Sequence, residues 1–325
     1  MYQSLPGFRE WAPPEFRRRN HVFQILRATA ARYAFEEFDG PVLEPLDLYV
    51  DKSGEEVVEQ LFWFEDKGKR KVALRPEMTP TLARMAGATA SSLRKPTRWF
   101  TLNEQYRFER PQKGRQRAFT QFNLDILGEP DIGAEIEVIA CFIDALENCG
   151  LDSQDFKVRL SDRRLWACFL DCMGQEARNH PPLLSLIDKV EKMSEEKMLQ
   201  GLQPFFGDAS MDFLGRVNEL RTLREEPDIS AFFLSLLSED PEDKPWEDSL
   251  SSLARLRSQL QAMGLEEYIV LDLGIVRGLA YYTGPVFEIF EADGQGRALA
   301  GGGRYDDLIH RLTGKSLEAV GGAMG

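Results

Sequence analysis

The sequence predicts an α+β fold: an antiparallel sheet flanked by helices and interrupted by a helical insertion. Three observations carry that expectation. Strand texture occupies both ends of the 325-residue chain. Residues 161–263 read as helix, with weak turn signals and no strand alternation. Strand runs are segregated from helix runs, which favours α+β over a parallel doubly wound sheet. The length suits about two domains of roughly 150 residues, or one core with an insertion. The boundaries expected are 1–160 for the first part of the core, 161–263 for the insertion and 264–325 for the second part.

The elements follow in chain order. Leu5-Pro6-Gly7-Phe8 is an extended lead-in, and Phe16 to about Tyr33 puts Val22, Phe23, Leu26 and Ala30 on one helix face. Gly40-Pro41 breaks that pattern before a short extended segment at Val42-Leu43. Leu61 to Phe64 and Val72 to Leu74 read as a hairpin across EDKGKR. Arg98 to Phe108 and Phe119 to Leu127 form a longer strand pair, joined by the polar, basic ERPQKGRQRA. Asp131 suits the N-cap of a helix that runs to about Leu146 and has an Ile-rich face. Phe156 to Leu160 is a strand candidate. After the helical stretch, strand texture returns at Tyr268 to Leu273, Tyr281 to Phe290 and Arg297 to Ala300.

Composition narrows the function classes. Hydrophobic residues make up 43% and charged residues 29%, which argues against wholesale disorder. No apolar run approaches the roughly 20 residues of a membrane span, and the N-terminus has no apolar signal core. The four cysteines form no CxxC pair, and with three histidines no zinc-ligand spacing arises. A reducing, cytoplasmic setting follows. The net charge of −13 argues against a general nucleic-acid coat. Yet between Arg94 and Arg117 eight basic residues face two acidic ones, a local +6 that suits an anion such as a phosphate.

Two familiar nucleotide motifs fail. Gly314-Lys315-Ser316 lacks the phosphate-loop glycine, because that position is Ile309. Gly294-Gln295-Gly296 opens like a dinucleotide fingerprint, but its third glycine position is Leu299. Four other segments carry chemistry. In YRFERPQKGRQRAFTQFNLDIL, period two places Arg107 and Glu109 on one strand face and Gln121, Asn123 and Asp125 on one face of the partner. That is either a solvated face with ion pairs or a polar pocket whose basic loop folds over a polyphosphate. ALRPEMT places Glu77 and Thr79 after a strand, over its end or at a helix start. In LGIVRGLAYYTGPVFE, Arg277 stands among apolar residues, where a buried cation needs an anionic partner in the protein or in a ligand. AGGGRYDDL sets three glycines at a strand end, where backbones can approach closely.

Taken in order, ALRPEMT, YRFERPQKGRQRAFTQF, IVRGLAYYTGPVFE and AGGGRYDDL resemble the histidyl-tRNA synthetase family of class II aminoacyl-tRNA synthetases. The resemblance runs from LPGFREW to VGGAMG. YRFERPQKGRQR resembles class II motif 2 in its histidyl form, RGLAYYTG and AGGGRYD resemble the two histidine-signature segments, and Gly40 to Glu44 resembles motif 1 at the family's dimer interface. The helical stretch matches the family's insertion near the tRNA acceptor stem. A class II synthetase-like sheet is therefore implied. Motifs 1 and 2 fall in 1–160, and the signature segments with the start of motif 3 fall in 264–325.

The resemblance implies a two-step reaction in a cytoplasmic homodimer. Histidine and ATP give histidyl-adenylate, and histidine then passes to its tRNA, with Mg2+ expected on the ATP phosphates. It implies Arg107 and Arg277 as catalytic arginines that also contact both histidine and ATP, Glu109 on the adenine edge, Phe119 stacked on its ring and Arg115 on the outer phosphates. Asp125 would accept an imidazole N–H, between Tyr282 and Tyr305, with Tyr281 beside them. Glu77, Thr79 and Gln121 would take the α-ammonium group. Two positions depart from the family: Ala280 replaces the common aspartate before the tyrosine pair, and Asp125 is one methylene shorter than the common glutamate. The chain stops at Gly325, where motif 3 would continue, so impaired adenylation is expected of a truncated chain. A histidyl-synthetase-like regulatory subunit of ATP phosphoribosyltransferase is the alternative, although motif 2 is intact.

Overall fold

A computed structural model describes residues 2–53, 55–109, 115–237, 244–276, 281–294 and 296–325. The chain opens with α1 (Pro13–Arg32), β1 (Glu36–Glu37), β2 (Leu43–Pro45) and α2 (Asp47–Ser53). Next come β3 (Trp63–Glu65), β4 (Lys71–Leu74), α3 (Thr79–Thr89), β5 (Thr97–Tyr106), β6 (Ala118–Leu127) and α4 (Gly133–Asn148). β7 (Phe156–Asp162) leads into α5 (Arg163–Cys172), α6 (His180–Ile187) and α7 (Glu195–Phe206). The helices continue with α8 (Ser210–Thr222), α9 (Glu226–Ser235) and α10 (Pro245–Ala262). The chain closes with β8 (Ile269–Leu271), β9 (Pro285–Glu291), β10 (Ala300–Arg304), α11 (Asp306–Thr313) and β11 (Ala319–Met324). It divides into two compact units, Met1–Asp152 with Tyr305–Gly325, and Ser153–Arg304.

In the first unit β5 and β6 pair antiparallel, β11 adds antiparallel to β6, and β1 adds parallel to β5. Alternation along β5 and β6 sorts their side chains. Phe100, Leu102, Phe122, Leu124 and Ile126 are buried on one face, where Phe122 meets Phe142 of α4 edge-on at 5.9 Å. Thr101, Asn103, Gln105, Gln121, Asn123 and Asp125 occupy the opposite face. A second sheet in this unit, β2-β4-β3, contains the expected hairpin across EDKGKR. Helix α1 starts at Pro13, because prolines at its first two positions need no N–H partner there. Of its expected apolar face, Leu26 and Ala30 are buried, but Val22 is 41% exposed.

Three local expectations shift. The strand ends at Tyr106, not Phe108. The Tyr106 N–H donates to the Arg75 carbonyl at 2.9 Å, and the Phe108 N–H to the Gln60 carbonyl at 2.8 Å. Tyr106 and Phe108 turn these N–H groups to the outer edge, while the Arg107 N–H still donates across the ladder to the Arg117 carbonyl at 2.9 Å, so Arg107 lies one residue past β5 and Glu109 farther on. Asp131 is not the N-cap either. Its carboxylate accepts from the adjacent Ile132 N–H at 2.8 Å, and the helix starts one residue after Ile132. The strand expected at Arg297–Ala300 instead runs from Ala300 to Arg304.

The second unit has strand order β10-β9-β7-β8, antiparallel except for β7 with β8. Its helices α5 to α10 fill residues 163–262. They share an aromatic core in which Phe206 stacks on Phe213 at 3.9 Å and Phe233 on Trp246 at 5.1 Å. The parallel edge follows from that stretch, since a parallel neighbour needs a long crossover and only the helical segment supplies one. Gly303 shows why glycine ends β10: a Cβ there would meet the Pro285 carbonyl oxygen at 2.6 Å. Among the described residues, no helix is long and apolar enough to cross a membrane.

Candidate active site

The polar face of β5-β6-β11 is the floor of the site in the first unit. Across it, Gln121 pairs with Asn103, Asn123 with Thr101 and Ala323, and Asp125 with Trp99 and Gly321. The floor is partly self-satisfied. Asn123 Nδ2 donates to Thr101 Oγ1 at 3.1 Å, and Gln105 Nε2 to Asn103 Oδ1 at 2.6 Å. Gln105 Oε1 is nonetheless buried with no hydrogen-bond partner, and so is Gln121 Oε1, at the residue expected to take an ammonium group. An unmet buried acceptor is costly, so the Gln121 oxygen suits a donor brought by a ligand, such as an ammonium group.

Just beyond the strand ends, the anion-binding candidates stand together. Arg107 is half-buried; its Nε donates to the Pro76 carbonyl at 3.1 Å, and its guanidinium carbon lies 5.2 Å from the centre of the Phe119 ring. A cation over an aromatic face is held in place without spending its remaining N–H groups. Glu109 is half-buried and Arg115 exposed, and they form an ion pair at 2.6 Å. Arg115 therefore lies against the carboxylate expected to read an adenine edge. A ligand that uses both residues must open that pair, which a side chain as exposed as Arg115 permits at small cost.

The pocket's carboxyl is buried. Asp125 is 5% exposed and accepts from the Tyr305 hydroxyl at 2.5 Å, while Tyr305 itself is 2% exposed. Burial pushes the Asp125 carboxyl up to about 7, against the lowering effect of the Tyr305 hydrogen bond. Tyr305 reaches it because its own N–H donates to the Ala319 carbonyl at 2.8 Å, which binds the start of α11 to β11. Glu77 and Thr79, both half-buried, flank the start of α3, and Thr79 is that helix's first residue.

The expected tyrosine pair lies in the second unit. Tyr281 is half-buried and Tyr282 is 6% exposed; their ring centres are 4.6 Å apart, with the planes tilted by 39°. Arg277 and Ala280 lie outside the described residues. The structure thus brings together Arg107 with Phe119, Glu109 with Arg115, Asp125 with Tyr305, and Tyr281 with Tyr282.

Sequence reasoning missed two contributors. Gly321 lies opposite Asp125, and a Cβ there would collide with the Asp125 carboxylate. The Gly321-Gly322 pair inside a strand was the available signal, since such glycines mark a close approach. Arg117 was counted only as charge. Its Nε donates to the Glu109 carbonyl at 3.0 Å, its guanidinium lies 4.7 Å from the Phe108 ring centre, and its N–H donates to the Gly7 carbonyl at 2.9 Å. Gly7 permits that contact, as a Cβ there would lie 2.8 Å from Arg117 Cγ. No pattern in the sequence indicated it. Among the described residues, no three His, Cys, Asp or Glu side chains are grouped to hold a metal ion.

Comparisons with known proteins place these features in a family. The family described as Histidyl-tRNA synthetase matches residues 7–325. A histidine–tRNA ligase of Opitutus terrae is 47% identical over 327 aligned positions, covering all of this chain and 73% of its own length. That of Pyrococcus horikoshii is 36% identical, covering all of this chain and 74% of its own. Among solved structures, a histidine–tRNA ligase subunit from Alicyclobacillus acidocaldarius superposes with a TM-score of 0.81 at 26% identity, over all of this chain and 95% of that one. An ATP phosphoribosyltransferase regulatory subunit/histidyl-tRNA synthetase from Bacillus halodurans gives 0.81 at 25% identity, over all of this chain and 81% of that one.

Proposed function

The chain belongs to the histidyl-tRNA synthetase family, and from that premise we propose that it joins the histidine carboxylate to the α-phosphate of ATP with release of pyrophosphate, then passes the histidyl group to its tRNA with release of AMP. The supporting observation is the row Phe119, Gln121 and Asp125 on one face of β6, with Arg107 just past the end of β5 over the Phe119 ring, each with the chemistry its task needs. Adenylation brings a carboxylate onto an α-phosphate, so two anions must meet. Arg107, steadied by Pro76 and Phe119, offsets the charge that builds on that phosphate. Arg277 joins it from the second unit's sequence. Phe119 stacks on the adenine, Glu109 accepts from its amino edge, and Arg115 swings from Glu109 to the outer phosphates. Mg2+ accompanies those phosphates and screens them.

Histidine is held by its ends. Gln121 Oε1, Glu77 and Thr79 take the ammonium group. Asp125 and Tyr305 take an imidazole N–H, with Tyr281 and Tyr282 beside the ring. A pocket built to pair an N–H rejects side chains that leave its buried groups unmet, by as much as ~10⁴-fold. The protein works as a cytoplasmic homodimer; the apolar side chains left exposed on the first unit, Phe16, Val22, Val42, Leu43, Trp63 and Phe64, support an interface there. A regulatory role in ATP phosphoribosyltransferase is not favoured, since curated relatives at 47% and 38% identity are histidine–tRNA ligases.

The test is pyrophosphate exchange with each amino acid in turn. Exchange with histidine alone is expected. Exchange with none, or with several amino acids at similar rates, overturns the reading.

A further inference from the structure

Arg75 lies outside every role assigned above, yet its guanidinium is 3% exposed. Its Nε donates to the Glu104 carbonyl at 3.0 Å, and its Nη1 donates to Asp39 Oδ1 at 2.7 Å and the Gly40 carbonyl at 2.8 Å. Its backbone is committed too: the N–H donates to the Val42 carbonyl at 2.9 Å, and the carbonyl accepts from the Tyr106 N–H at 2.9 Å. One residue therefore ties the 39–42 segment to the end of β5. A buried guanidinium needs such partners, and its planar fork meets three acceptors at fixed angles.

The Asp39 carboxyl is held towards its charged form. Burial works to raise the Asp39 carboxyl, but hydrogen bonds from Arg75, the Gly40 N–H and Asn103 outweigh it and hold the carboxyl below its usual range. Asn103 Nδ2 reaches the same Oδ1 at 2.8 Å, which links the clamp to the floor of the site.

The next residue makes the connection to chemistry. The Pro76 carbonyl accepts from Arg107 Nε at 3.1 Å. Proline's fixed φ removes one of the backbone rotations between Arg75 and that carbonyl. With Nε committed, the Nη groups of Arg107 are left to face an anion.

We infer that Arg75 is a positioning residue: its buried fork fixes the Pro76 carbonyl, and through it the place where the Arg107 guanidinium meets the phosphate of ATP. The inference rests on the proposed phosphate-binding role of Arg107. Orientation-driven catalysis is sensitive to such support, because a displacement of about 1 Å can cost ~100-fold in rate.

Arg75→Lys tests it, since an ammonium keeps the charge but cannot reach all three acceptors in the same geometry. Histidine-dependent pyrophosphate exchange should show kcat at least tenfold lower and the ATP KM at least fivefold higher. The melting temperature should fall by only a few degrees. Asp39→Asn, at a largely exposed carboxylate, should move both constants in the same direction by less, and carries the test should Arg75→Lys fail to fold. Ile143→Val on α4, on the other side of the sheet, serves as a packing control and should leave both constants unchanged. Kinetic constants within twofold of wild type in Arg75→Lys, or in Asp39→Asn where that variant carries the test, overturn the positioning role. So does a loss that Ile143→Val reproduces at equal melting temperature. Absence of exchange by the wild-type protein instead overturns the reading of the site, and this inference with it.

Discussion

At Asp125 the needs of stability and recognition oppose each other. The fold buries the carboxyl beside Tyr305, which raises its titration to about 7, while a ligand N–H is best met by the carboxylate. The raised value means the folded state holds the proton more tightly than the unfolded chain. Its contribution to stability is complete below about 4 and is lost as pH rises through about 7. Urea unfolding of wild type and Asp125→Asn at pH 4.5 and 7.5 reads this directly: the pH-dependent fall should be markedly smaller in the variant. Equal slopes would mean Asp125 titrates normally. In the proposed pocket the same variant should weaken histidine binding by ~2–4 kcal/mol, as breaking a buried charge-assisted pair does. Calorimetry with histidine checks this, and an unchanged affinity removes Asp125 from the pocket.

At the level of elements, the site depends on close approaches that only glycine permits. Helices α3 and α11 touch at Gly87, where a Cβ would collide with Thr313. Gly87→Val should therefore destabilise the protein by about 1–3 kcal/mol through overpacking. Adding Thr313→Ala should recover part of that loss in thermal melts. Additive losses would show that the two helices do not meet there. Gly321→Ala on β11 should act on both the pocket and the sheet. The new Cβ would displace the Asp125 carboxylate and press on the Leu124 carbonyl oxygen at 2.8 Å, so histidine affinity and melting temperature should both fall. An intact affinity would mean the carboxylate has room to move.

For the whole molecule, the exposed apolar side chains and the segment resembling motif 1 lead to one expectation. Light scattering at micromolar concentration should give twice the chain mass of 37.0 kDa. A monomer mass would refute it. The net charge of −13 adds a constraint on tRNA binding. Contacts must concentrate on local basic segments such as 94–117, so affinity for tRNA should fall steeply with salt. A flat salt dependence would move the contact elsewhere.

Much of this protein was legible from residue types and spacing. Segregated strand and helix texture gave the α+β class, and period two along residues 97–127 placed Gln121, Asn123 and Asp125 on one face, because alternation is a property of any strand. The four signature segments gave the family. Other features depended on partners far away in the chain. The outer edge of β5 at Tyr106 meets the Arg75 carbonyl, a partner that no local pattern encodes. Asp125 titrates high because distant parts of the chain bury it, against the lowering hydrogen bond from Tyr305, 180 positions later. Arg117 and Arg75 read as ordinary charge until the fold set carbonyls and rings around them. Local sequence determines which faces a strand or helix can offer. Burial and hydrogen-bond partnership are set by what the rest of the chain brings to those faces, and only the tertiary structure decides that.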